Sequence, residues 1–80
     1  MTGQRSEIMS ASKIGRYKGV LWTRAKFGEI FHYDFDAHYN DRFFYFIRNN
    51  EGRYTGTHFN TLHDLKRSVD MYPSIREEAK

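Results

Sequence analysis

The spacing of apolar and polar residues changes along this chain, and each change marks an element. Residues 15–24 are rich in strand formers and read as a first strand. Ala25, Lys26, Phe27 and Gly28 follow as a turn, with Gly28 supplying backbone freedom. Over residues 29–36 the period is two. Phe31, Tyr33 and Phe35, in step with Phe27, alternate with Ile30, His32, Asp34 and Asp36, which predicts a second strand. Residues 37–41 contain the turn formers Asn40 and Asp41. Residues 42–48 are aromatic on both alternating faces and predict a central third strand. Asn49, Asn50, Glu51 and Gly52 predict a hairpin turn. A short fourth strand at 53–57 follows, in which Gly56 weakens the pairing or marks a bulge.

The period then becomes helical. Leu62, Leu65, Val69 and Met71 or Tyr72 fall on one stripe, with Lys66, Arg67 and Asp70 off it. Asn60 or Thr61 is placed to cap the N-terminus, Asp64 suits the first turn, and Pro73 stops the helix. The fold class expected is α+β: a three- to four-stranded antiparallel sheet with one C-terminal helix packed on one face. The domain spans residues 13–72, between a mobile tail at 1–12 and a charged tail at 73–80. Tyr17, Leu21, Phe31, Tyr33, Phe35, Phe43, Tyr45 and Ile47 are the expected core beneath Leu62, Leu65 and Val69. For the first strand either face can be the inner one, because Val20 and Trp22 are as apolar as Tyr17 and Leu21.

One helix covers one face of such a sheet. By alternation the other face holds Lys18, Val20, Trp22 and Arg24, then Ile30, His32, Asp34 and Asp36, then Arg42, Phe44, Phe46 and Arg48. That is an aromatic centre of Trp22, Phe44 and Phe46 rimmed by charges of both signs, the composition of an interaction surface. A protein partner is therefore expected there, contacted by Trp22, Phe44, Phe46, Arg42, Arg48, Asp34 and Asp36. The partner is either a second copy, which enlarges a marginal core, or a host or regulatory protein. The structural alternative is that a tail folds back over the patch.

Charge sharpens this picture. The 80 residues include 13 Lys and Arg against 10 Asp and Glu, a formal charge of +3. Residues 13–26 contribute +5, residues 27–41 −4 and residues 42–53 +2, and the remainder is neutral. If these blocks are neighbouring antiparallel strands, opposite charges lie across from each other. Nucleic acid is the alternative partner, with Lys13, Arg16, Lys18, Arg24, Lys26, Arg42 and Arg48 at phosphates beside stacked rings. Asp34 and Asp36, expected on the same face, oppose it.

Catalysis and cofactors find little footing. With no cysteine there is neither disulfide nor thiolate metal site. His32, Asp34, Asp36 and His38 have a spacing that puts all four on one strand face, yet it is no structural zinc signature, and no metal is expected. His58 and His63 flank the helix start as polar edge residues. No serine elbow, phosphate loop or dinucleotide fingerprint occurs, and no enzyme activity, cofactor or small-molecule substrate is expected. The chain lacks a long apolar run and an apolar leader, so no membrane partner is expected and a cytoplasmic place is.

Two segments together carry a resemblance: Tyr17-Lys18-Gly19-Val20 opening the sheet, and Phe59, Thr61-Leu62, Leu65-Lys66 and Val69-Asp70 closing it. Over residues 16–70 they resemble short proteins of bacteriophages and mobile elements in which a β-meander ends in a helix. The resemblance implies a phage-type accessory protein, for example an inhibitor of a host protein, and supplies no catalytic residue. More distantly the chain resembles the three-stranded-sheet-plus-helix DNA-binding modules of some integrases, from which it departs in its acidic second strand.

Overall fold

In the computed structural model, which describes residues 13–31 and 37–80, the chain reverses direction earlier than its run of strand formers suggests. Strand β1 (Lys13–Tyr17) and strand β2 (Val20–Lys26) are joined by Lys18 and Gly19 alone, and pair antiparallel from Lys13↔Arg24 to Tyr17↔Val20. Both loop residues have positive φ, 50° at Lys18 and 84° at Gly19. This is the loop geometry that matches the twist of a two-residue hairpin. The expected single strand at 15–24 is thus two strands. The correction also reassigns faces. Tyr17 and Val20 are cross-strand partners and point the same way, whereas in an unbroken strand Tyr17 would share a face with Leu21. Tyr17, Val20 and Trp22 therefore meet one layer, and Leu21, Thr23 and Ala25 the other.

Strands β3 (Phe43–Arg48) and β4 (Tyr54–Phe59) complete a four-stranded antiparallel sheet in the order β1-β2-β3-β4. The turn between them is built as its residues predict. The Asn49 side-chain oxygen accepts from the backbone N–H of Glu51 and of Arg53, both at 2.9 Å. In β4, Gly56 has φ 96°, and the register against β3 shifts there. A bulge at a glycine is the physical reading.

The second strand expected at 29–36 is not found where the structure describes it. Phe27–Ile30 is a helical turn, α1, and the N–H of Phe31 donates to the carbonyl of Phe27 at 2.8 Å. A second turn, α2, spans Ala37–Asn40. The reason lies in spacing: Phe27, Ile30 and Phe31 are an i, i+3, i+4 stripe, and Glu29 interrupts the alternation. Tyr33 and Phe35, expected in the core, lie outside the described residues.

Two aromatic-rich cores result, one on each side of the sheet. On one side Val20, Trp22 and Ile47 meet Leu65 and Val69 of helix α3 (Leu62–Met71) and Ile75 and Ala79 from the α4 segment (Pro73–Glu78 and the residue after it). Residues 73–78, expected in a tail, are this second helix. Pro73 ends α3 but occupies the first turn of α4, where its missing N–H costs nothing. On the other side Ala25, Phe44 and Phe46 are covered by Phe27, Ile30, Phe31, Tyr39 and Tyr54. The expected open aromatic face is therefore closed, with α1 and α2 packed on it, and Trp22 sits across the sheet from Phe44 and Phe46. Their exposures are 6% for Trp22, 4% for Phe44 and 0% for Phe46. Each such ring contributes roughly 1.5–3 kcal/mol by leaving water. Phe43, expected in the core, is instead 39% exposed.

Thr61 caps α3: its side-chain oxygen accepts from the N–H of Asp64 at 3.1 Å. The far end is tied to the first hairpin. The Asp70 carboxylate receives the Tyr17 hydroxyl at 3.1 Å and pairs with Lys18 Nζ at 2.6 Å. The hydrogen bond from Lys18 holds Asp70 below its ordinary 3.8, and the same bond raises Lys18 above its ordinary 10.5. A lowered carboxyl adds stability above its unfolded value, and that contribution fades as pH falls through the folded one. A raised lysine adds stability below 10.5, lost as pH rises through its folded value. Asp70→Asn is expected to lower the urea midpoint between these limits. Its deficit against the unaltered chain should vanish in acid, which denaturation curves across pH will check.

Trp22 also constrains the edge strand. A methyl group added at Gly15 would stand 2.5 Å from the indole, which is itself packed edge-on against Tyr45 at 5.5 Å. Gly15→Ala is expected to destabilise by about 1–3 kcal/mol through this overpacking. The loss should appear as a lower urea midpoint at unchanged slope, with a shifted Trp22 emission.

Candidate nucleic-acid interface

Helix α3 begins just after Phe59, the partner of Tyr45, and ends with Asp70 at the β1–β2 hairpin. It therefore crosses its face of the sheet on a diagonal. α4 returns over the side near that hairpin, burying Ile75 and Ala79 and bringing Glu78 to the Thr57 hydroxyl at 3.4 Å. The other corner, where β1 begins, β2 ends and β3 begins, carries neither helix among the described residues.

Lys13, Arg24, Lys26 and Phe43 occupy this corner. Lys13 and Arg24 are direct cross-strand partners, as are Lys26 and Phe43. The Arg24 guanidinium lies 4.1 Å from the centre of the Phe43 ring, and Lys26 Nζ lies 5.8 Å from it. An exposed cation–π contact contributes about 0.5–1 kcal/mol, while like charges placed opposite each other on a strand pair are unfavourable. The first basic block folds into β1 and β2, and the second begins at β3 beside it, so basic strands are neighbours. Among the described residues neither Lys13 nor Lys26 has an ion-pair partner.

The remaining candidate residues are dispersed. The Arg16 guanidinium donates to the Gly19 carbonyl at 3.2 Å, and Lys18 is committed to Asp70. Arg48 braces the sheet. It donates to Gly52 O at 3.0 Å and to the buried Thr23 hydroxyl at 3.2 Å, and packs over Tyr54. Arg42 lies on the opposite side of the sheet from Phe43, with its guanidinium 5.8 Å from the Tyr39 ring and 5.5 Å from that of Phe44. Asp34 and Asp36 lie outside the described residues, as does His32. Of that four-residue cluster only His38 is described, exposed on α2. The site residue that sequence reasoning missed is Phe43. The β2–β3 register, Lys26 opposite Phe43 and Arg24 opposite Tyr45, places both cations on its face.

Among the described residues no helix is long and apolar enough to cross a membrane. No family model, curated protein or solved structure matches the chain.

Proposed function

We propose that this chain is a non-catalytic binding domain for single-stranded nucleic acid, with the uncovered corner of the sheet as its platform. One observation carries the reading: Arg24 and Lys26 lie against the exposed ring of Phe43, with Lys13 opposite Arg24, on the part of the sheet that α3 and α4 do not cover. An exposed ring beside cations takes a base by stacking and its phosphates by charge, without a sequence code. A duplex keeps its bases stacked on one another, so the exposed ring favours a single strand. The net charge of +3 matters less than its local density, since three of the basic residues share one corner. The chemistry required is binding alone.

A protein partner is the second reading, with different residues from those expected. Met71 and Tyr72 are 54% and 52% exposed where α3 meets α4, beside a groove lined by Phe59 and Arg67. A second copy or a host protein seated there is the form that the phage-type expectation takes on this fold.

Fluorescence anisotropy of a labelled oligonucleotide separates these readings. Single strands should bind more tightly than duplexes, with affinity falling as salt rises at a log–log slope of roughly −2 for three phosphate contacts. Lys13→Glu with Lys26→Glu should abolish binding while the circular dichroism spectrum stays folded, and Phe43→Ala should weaken it. Absence of binding at low salt, or binding indifferent to the charge reversals, would overturn the nucleic-acid reading. A solution mass that halves on Met71→Glu would establish the second copy instead.

A further inference from the structure

The sheet has two edges, and they are finished differently. On β4 the ladder is broken at Gly56, whose φ is 96°. There the N–H of Thr57 donates to the Thr55 hydroxyl at 3.3 Å, and the Gly56 carbonyl lies 3.2 Å from His58 Nδ1. The Thr57 hydroxyl is taken up with Glu78. A bulged edge with its backbone groups engaged gives little to a further strand. Among the described residues β1 has none of these features. It pairs with β2 without a break from Lys13 to Tyr17, and Lys13, Ile14 and Arg16 are exposed.

The two-residue loop fixes which backbone groups of β1 turn outward. Residues flanking such a loop exchange both of their backbone hydrogen bonds, and along an antiparallel ladder these pairs alternate with pairs that exchange none. Tyr17, Gly15 and Lys13 therefore bond to Val20, Trp22 and Arg24. Ile14 and Arg16 turn their N–H and C=O groups away from β2. Donors and acceptors in that alternation are a template for an extended chain. Side chains narrow what the chain carries. Ile14 and Arg16 stand on one face of β1, and Lys13 on the other. Among the described residues neither Lys13 nor Arg16 has an ion-pair partner. Arg16 donates to the Gly19 carbonyl through Nη1, and a guanidinium has further donors to give. An apolar strand would strip water from both cations without replacing it. A second β1 would set cations against cations. A nucleic acid has no amide ladder to offer. An acidic strand meets the backbone groups and the charges together.

We propose that β1 takes up, as a fifth strand, an acidic extended segment of another protein. Run antiparallel, like every other pair in this sheet, the segment sets a carboxylate opposite Arg16, an apolar residue opposite Ile14 and a second carboxylate opposite Lys13. Its sequence is then acid, any residue, apolar, acid. This goes beyond the nucleic-acid reading and does not depend on it, although the two surfaces share Lys13.

The test uses the full isotope-labelled chain and two synthetic peptides, Thr-Glu-Thr-Val-Glu-Thr and its counterpart with lysine for both glutamates. Amide hydrogen exchange is read residue by residue. With the glutamate peptide at about ten times its Kd, exchange at Ile14 and Arg16 should slow about tenfold, because only about one chain in eleven is free. The lysine peptide should slow neither. Arg16→Glu should abolish the effect at Ile14 and leave oligonucleotide binding unchanged. Ile14→Pro removes a donor that β2 does not use, and should abolish the effect at Arg16 while the circular dichroism spectrum stays folded. Lys26→Glu should weaken oligonucleotide binding and leave the peptide's effect intact. The inference is overturned if the glutamate peptide, raised to millimolar concentration, slows neither amide, or if both peptides act alike. It is equally overturned if Ile14 and Arg16 of the free chain exchange as slowly as Gly15. The edge is then already taken, by another part of the chain where the solution mass is that of one copy, and by a second copy where it is doubled. Loss of oligonucleotide binding with the peptide's effect intact overturns the corner reading alone.

Discussion

The two positive φ angles at Lys18 and Gly19 decide this structure. A loop of two residues makes its flanking residues partners, and partners on neighbouring strands point the same way. That reversal puts Tyr17 on the face of Val20 and Trp22, under α3, while the register of β2 against β3 sets Ala25 beside Phe44 on the opposite side. It also brings the basic ends of β1 and β2 together. A loop one residue longer or shorter would exchange the two faces of β2 against β1.

A sheet with apolar residues on both faces needs two covers, and this chain makes them differently. One is a capped helix of ten residues followed by a shorter one. The other consists of two single helical turns whose rings carry the contact. Phe27 alone lies within 6.2 Å, centre to centre, of Phe31, Tyr39, Phe44, Phe46 and His58. Large rings let four-residue turns do what would otherwise need a longer element, because each buries so much surface per residue. That is how a chain with a mean hydropathy of −0.83 holds two cores. It also explains why the aromatic surplus is mostly consumed inside, with Phe43 left exposed at the corner that neither helix reaches.

Local chemistry made some of this legible. The Asn49 turn, the Thr61 cap and the Leu65 and Val69 stripe depend on residues within one turn of each other, and each appears as its residues predict. The strand at 43–48 was legible because five consecutive strand formers, Phe43 to Ile47, leave little choice. The first hairpin was hidden because lysine at positive φ carries no strong signal, and strand formers flank it on both sides. Residues 27–31 carry a helical stripe next to a period of two that is clear only from Phe31 onward. Only tertiary contact with Phe44 and Phe46 selects the helical one. The candidate site inherited both difficulties: its cations were identified as a group, but Phe43 was assigned to the core and Trp22, Phe44 and Phe46 to the surface. Arg16, Lys18 and Arg48 could not be set apart from Lys13 and Lys26 by sequence, since a hydrogen bond to a carbonyl or to a distant carboxylate leaves no local trace.

Strand β1 pairs only with β2, so its outer rim of backbone donors and acceptors is unmatched within the sheet. Ile14 stands on it 58% exposed. Such a rim invites another strand to add itself. Here Lys13 and Arg16 give the strand positive charge. Two copies meeting edge to edge would bring like charges together, and burying any of those cations in a ladder would cost their hydration. Charge along an open strand edge thus opposes edge-to-edge growth of the sheet.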